Sequence, residues 1–73
     1  MEKVDRVMAK FRKAMIDKFH KKEAEGWTGW DEQVFWEKLV KRFHGHAAKR
    51  MITQENLIDV ALYAMFLWNL EDK

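Results

Sequence analysis

Residues 53–70, TQENLIDVALYAMFLWNL, decide the fold. From Leu57 to Leu70 the only charge is Asp59. Leu57, Val60, Ala61, Ala64, Met65 and Trp68 recur at the i, i+3, i+4 spacing of a helix face. Ile58, Leu62, Phe66 and Leu67 cover much of the remaining circumference. A helix apolar nearly all round is buried, in a core or between subunits. Its eighteen residues would reach roughly 27 Å. The continuous apolar run is short of the ~20 residues of a membrane span, and an internal Asp costs about 2.5–3.5 kcal/mol in a bilayer. The stretch is therefore expected to be the central helix of an all-α protein with no membrane partner. Trp68 is expected in the core, and Asp59 is the residue that most needs a compensating partner.

Working outward, Thr53 is a good N-cap, followed by Gln54 and Glu55 in the first turn. This predicts a helix over residues 53–71. Met51 and Ile52 leave room only for a turn, which makes the preceding helix an antiparallel neighbour. That helix is predicted over residues 31–50, with Phe35, Trp36, Leu39, Val40, Phe43 and Ala47 as its apolar face. Thr28 or Asp31 would cap it. Gly45 in its interior costs up to about 1 kcal/mol against alanine, a reason to expect close helix contact or a kink there. A first helix is predicted over residues 2–24 from the stripe Val4, Val7, Met8, Phe11, Met15 and Phe19. Gly26 is a natural terminator for it. The link over residues 26–30, GWTGW, carries Trp27 and Trp30. Two tryptophans there either fold back over the end of the bundle or stand out as a partner surface, and the area a small core needs favours the first.

With 73 residues the chain is expected to form one domain, residues 1–73. A core of this size is marginal. No cysteine is present, so neither disulfides nor thiolate metal sites are available. The charged N-terminus, MEKVDRVMAKFRK, is not a secretory signal, and a cytoplasmic location is expected. Four Trp, five Phe and one Tyr are a large apolar payload. With the last helix apolar all round, they predict a three-helix antiparallel bundle completed by homo-oligomerisation through residues 53–70. Residues 1–50 hold 13 Lys/Arg against 8 Asp/Glu, net +5, and residues 51–73 hold 1 against 4, net −3. The basic part coats two amphipathic helices and could attract phosphates.

Most chemistries find no support. There is no serine or cysteine nucleophile, and GWTG lacks the Lys-Ser/Thr of a phosphate loop. The third helix is too apolar to lie in a major groove, which argues against nucleic acid. Asp5, Asp17 and Glu23 weaken any attraction of the first helix to anionic lipid. His44 and His46, two apart on a helix, point about 200° from each other. Glu55 and Asp59 share a face, but two carboxylates are few for a hard cation. Asp59 is therefore expected to pair with a base of helix two: Lys41, Arg42, His44 or His46.

Two stretches together carry a family resemblance. GWTGWDEQVFWEKLVKRFHGHAAK resembles the segment opening the first catalytic helix of small MazG-like, all-α nucleoside triphosphate pyrophosphohydrolases, including phage-type members. IDVALYAMFLW resembles the segment around their final metal-binding aspartate. The resemblance spans residues 26–68 and implies a helical oligomer with sites near subunit contacts. In that family E-E-x-x-E on one helix and E-x-x-D on the next hold magnesium against a triphosphate. Here the aspartate of E-x-x-D falls on Asp59, its glutamate on Asn56, and the E-E-x-x-E register near Lys41, Arg42 and Gly45.

The expected function is accordingly a MazG-like scaffold without metal-dependent hydrolysis and without a cofactor. Lys41, Arg42, His44, His46, Lys49 and Asp59 form its candidate binding set, for a nucleotide phosphate or a protein. One alternative is an active Mg2+-dependent pyrophosphohydrolase with ligands Glu37, Glu55 and Asp59 across a dimer seam. The other is a phage-type interaction module that blocks a protein partner through Trp27 and Trp30.

Overall fold

A computed structural model describes residues 2–50 and 52–71. Met51, expected in the second turn, lies outside the described residues. Three helices pack against one another, α1 (Glu2–Ala24), α2 (Trp36–Ala47) and α3 (Gln54–Glu71), with no strand among the described residues. The all-α three-helix bundle is as the hydrophobic periods predict. α3 packs on both other helices. Lys18 meets Glu55 and Asp59 while Lys22 lies over Tyr63, so α1 runs in the same sense as α3. Trp36 lies beside Leu70 and His46 beside Asp59, so α2 is antiparallel to both.

The core is built by α3. Ile58, Leu62, Tyr63, Phe66 and Leu70 are buried with Leu39 of α2. Ala14, Met15 and Phe19 of α1, Trp36 and Phe43 of α2, Leu67, and the two link tryptophans pack around them. Of the two apolar faces of α3, the one turned inward carries Ile58, Leu62 and Phe66. The other faces out, with Leu57 47 %, Met65 41 % and Trp68 72 % exposed. Trp68 is thus not a core residue. At 100° per residue, Trp68 falls within about 20° of Leu57, while Leu62 and Phe66 lie on the opposite side. Only contact with α1 and α2 could choose between the faces.

α1 ends as Gly26 predicts. Gly26 has φ +88°, its N–H donates to the Glu23 carbonyl at 2.9 Å, and the Trp27 N–H donates to the Lys22 carbonyl at 3.0 Å. This paired arrangement satisfies the last carbonyls of the helix and turns the chain back. Trp27 and Trp30 then fold over Phe66, with ring centroids 5.5 and 5.3 Å away. The link cannot be helical while doing this, so α2 starts later than residue 31. A single 3₁₀ turn, Gln33–Phe35, precedes it. Neither Thr28 nor Asp31 caps α2: its N-cap position is Phe35, which makes no side-chain cap bond. α2 also stops at Ala47 rather than residue 50. Gly45 has open space where a Cβ would sit, so no close helix contact requires it.

Gly29 is different. It is buried, has φ +90°, and a Cβ there would lie 2.7 Å from the Phe35 ring. Gly29→Ala combines a disfavoured backbone region with overlap against an aromatic ring. It is expected to cost about 1–3 kcal/mol, and Gly45→Ala to be neutral or stabilising. Thermal denaturation of the two variants checks this, and equal melting temperatures would contradict the loop geometry.

Candidate functional site: a charged cleft at the start of α3

The cleft forms where three elements converge on the first two turns of α3. Thr53 caps the helix as predicted: the Asn56 backbone N–H donates to Thr53 Oγ1 at 3.0 Å. The Asn56 side chain reaches across, Nδ2 donating to the His46 carbonyl at 3.0 Å. That carbonyl belongs to the last turn of α2, where its backbone partner is the Lys49 N–H at 3.4 Å, and Asn56 adds a second donor. Asn56 therefore ties the end of α2 to the start of α3, and it is buried in doing so. The His46 ring stacks on Tyr63, with centroids 5.3 Å apart and planes 17° from parallel.

Glu55 and Asp59, one turn apart, point the same way. Lys18 Nζ stands 2.6 Å from Glu55 Oε1 and 3.7 Å from Asp59 Oδ1. On the other side His46 Nδ1 is 3.9 Å from Asp59 Oδ2. Asp59 is only 8 % exposed, and an unpaired buried carboxylate would be costly. The Lys18 ammonium compensates it, and the His46 imidazole stands on its other side. The distances are those of ion pairs rather than hydrogen bonds. Asp59 Oδ1 and His46 Nδ1 have no hydrogen-bond partner among the described groups. Lys49, Thr53, Glu55, Asn56 and Asp59 line an open cleft of about 430 Å³ above the pair.

Electrostatics follow from these contacts. The hydrogen bond from Lys18 holds the Glu55 carboxyl below its ordinary value, and the same bond raises the Lys18 ammonium despite partial burial. Burial lowers the His46 imidazole. Asp59 opposes this, while Lys49, Lys22 and Arg42 reinforce it. His46 is therefore held neutral at pH 7 in a predominantly positive surround.

The sequence placed the partner of Asp59 on helix two. His46 lies beside Asp59 on that helix, but the cation that meets it is Lys18 of α1. Lys41, Arg42 and His44 are exposed, and none is an ion-pair partner of Asp59 among the described residues. His44 lies beside the Phe43 ring instead. Arg42 borders a small cavity of about 30 Å³ under the link, with Trp27, Trp30, Lys38 and Leu39. Lys49 lines the cleft beside Glu55 and Asp59. Trp27 and Trp30 are half-buried against the core. Lys18 had a legible signal: Phe11, Met15, Lys18 and Lys22 recur along the apolar stripe of α1, so two cations sit on a core-facing side.

The residues do not fit magnesium. Among the described residues no group of three His, Cys, Asp or Glu is placed to hold a metal ion. Glu37 begins α2, nine residues before His46, so about 13 Å of helix separates it from the cleft within one chain. The Lys18 ammonium already bridges the two carboxylates that remain. No protein-family model, no curated protein and no solved structure matches this chain.

Proposed function

We propose that this chain is a MazG-like helical scaffold without metal-dependent hydrolysis, acting as an oligomeric binding protein for a phosphate-bearing ligand such as a nucleotide. The observation that supports it is the Lys18 ammonium between Glu55 and Asp59, at 2.6 and 3.7 Å. In the resembled family magnesium lies between carboxylates and a triphosphate. Here an internal cation neutralises the acids, so a metal gains little by binding. An ammonium supplies the charge but is no Lewis acid and offers no open coordination position for a phosphoryl oxygen.

What remains is attraction. Lys22, Arg42 and Lys49 all act on His46 as positive charges, so the surround of the cleft is cationic although its floor is acidic. Phosphates would meet Lys49 at the rim, with Arg42 and Lys41 adding long-range attraction.

Thermal denaturation with ligands tests this. Magnesium or manganese at millimolar concentration should leave the melting temperature unchanged. A nucleoside triphosphate should raise it saturably, and Lys49→Ala should weaken that rise. A saturable stabilisation by magnesium that Asp59→Asn abolishes, together with magnesium-dependent pyrophosphate release from a nucleotide panel, would overturn the proposal and favour the active hydrolase.

A further inference from the structure

We propose that two copies of this chain pack reciprocally, the projecting half of α1 of each lying along the outward face of α3 of the other. This names the interface of the oligomer and rests only on the self-associating part of the function above, not on its ligand.

The motive is a stripe that is half core and half bare. Val4, Val7, Met8 and Phe11 continue at helical spacing into Met15 and Phe19. Met15 and Phe19 pack on the core, whereas residues 2–13 are all exposed. Val4 is 55 %, Val7 59 %, Met8 64 % and Phe11 39 % exposed. The reason is length. α3 begins at Gln54 beside Val7, Phe11 and Ala14, so α1 runs on past its start. The second bare surface is the outward face of α3: Leu57, Ala64, Met65 and Trp68 are exposed and Ala61 is half-buried. The two surfaces meet in a groove of about 350 Å³ lined by Val7, Phe11, Ala14, Leu57 and Ile58, with Lys10 and Gln54 at its polar edge.

The size fits a second copy. The exposed fractions of Val4, Val7, Met8, Phe11, Leu57, Met65 and Trp68 equal roughly four fully exposed large side chains. That is on the order of 600–800 Å², close to the ~800 Å² each partner buries in a standard interface and above the usual largest patch of a monomer. Residues 4–11 extend about 10 Å and residues 57–68 about 16 Å, so one can lie along the other. Charge permits the same occupant. The projecting half of α1 carries Lys3, Arg6, Lys10, Arg12 and Lys13 against Glu2 and Asp5, net +3, while α3 contains no Lys or Arg to repel it. Each copy thus offers a basic apolar strip and a cation-free apolar face, and a reciprocal dimer pairs them twice.

Sedimentation equilibrium without metal or nucleotide tests this, from micromolar to sub-millimolar protein. The mass should rise from 8.9 kDa towards that of two copies. Val7→Glu and Trp68→Glu, each on an exposed position, should keep the helical circular dichroism of the wild type. Each should raise the dissociation constant roughly tenfold or more. A wild type that stays at 8.9 kDa throughout would overturn the proposal and leave the surface to a different protein or a lipid surface. Self-association that survives both substitutions would place the contact elsewhere. Weakening by only one would refute the reciprocal arrangement. None of these results depends on whether a nucleotide binds.

Discussion

Phe66→Ala should remove most of the stability of the chain and leave it marginally folded at room temperature. Phe66 has no exposed surface and sits at the centre of the aromatic cluster. Phe19, Trp27, Trp30 and Tyr63 surround it, with ring centroids 6.0, 5.5, 5.3 and 5.9 Å away. These four rings come from α1, the link and α3 itself. Truncation removes their shared partner and leaves a cavity that no neighbour can fill without moving a helix. Such a substitution costs about 3–5 kcal/mol. A single small domain has a total stability near the low end of about 5–15 kcal/mol. The control is Trp68→Ala in dilute protein: at 72 % exposure its loss should change stability by no more than about 0.5 kcal/mol. Thermal denaturation followed by circular dichroism compares the two. A melting temperature unchanged in Phe66→Ala, or lowered more in Trp68→Ala, would mean that α3 presents its other face to the core.

The second large effect is expected from Lys18→Met, about 2–3 kcal/mol together with a weaker pH dependence. Removing one partner of a buried ion pair typically costs about 3–5 kcal/mol. The Lys18 side chain keeps 19 % of its surface in solvent, which argues for the smaller figure. The bond to exposed Glu55 adds little. In the wild type, His46 is pushed below its ordinary value, chiefly by burial. The unfolded chain then takes up the proton more readily than the folded one. Stability is full above pH 6.5 and falls as the pH drops through that value. Without Lys18, Asp59 has only the His46 imidazole beside it, so protonating that ring in the folded state becomes less costly. Burial still holds the imidazole down, so the loss of stability on the acid side should shrink rather than change sign. Urea denaturation at about pH 5.5 and pH 7.5 brackets the ordinary imidazole range and avoids the titration of Glu55. The wild type should be less stable at the lower pH, and Lys18→Met should show a smaller difference between the two. The same slope in both proteins would show that Lys18 does not compensate Asp59.

Much of this was determined by the sequence alone. The 3.6-residue periods of α1 and α3, the glycine after α1 and the threonine before α3 act within a few residues. Those elements stand where local spacing puts them. The burial of α3 and the need of Asp59 for a cation also follow from composition along one helix. The start of α2 does not. It was displaced because Trp27 and Trp30 turn back onto Phe66, a contact 36 residues away in the chain for Trp30. Likewise α3 offers two apolar faces of similar character, and its sequence contains nothing that ranks Trp68 below Phe66. That choice was made by which face the rings of Phe19, Trp27 and Trp30 could reach. The partner of Asp59 was decided the same way. Several bases of α2 were near in sequence, but helical rotation turns Lys41, Arg42 and His44 towards solvent and only His46 towards the carboxylate. Lys18, 41 positions before Asp59, arrives beside it because α1 packs on α3. Local spacing sets which residues share a face; only the packing of helix against helix sets what that face meets.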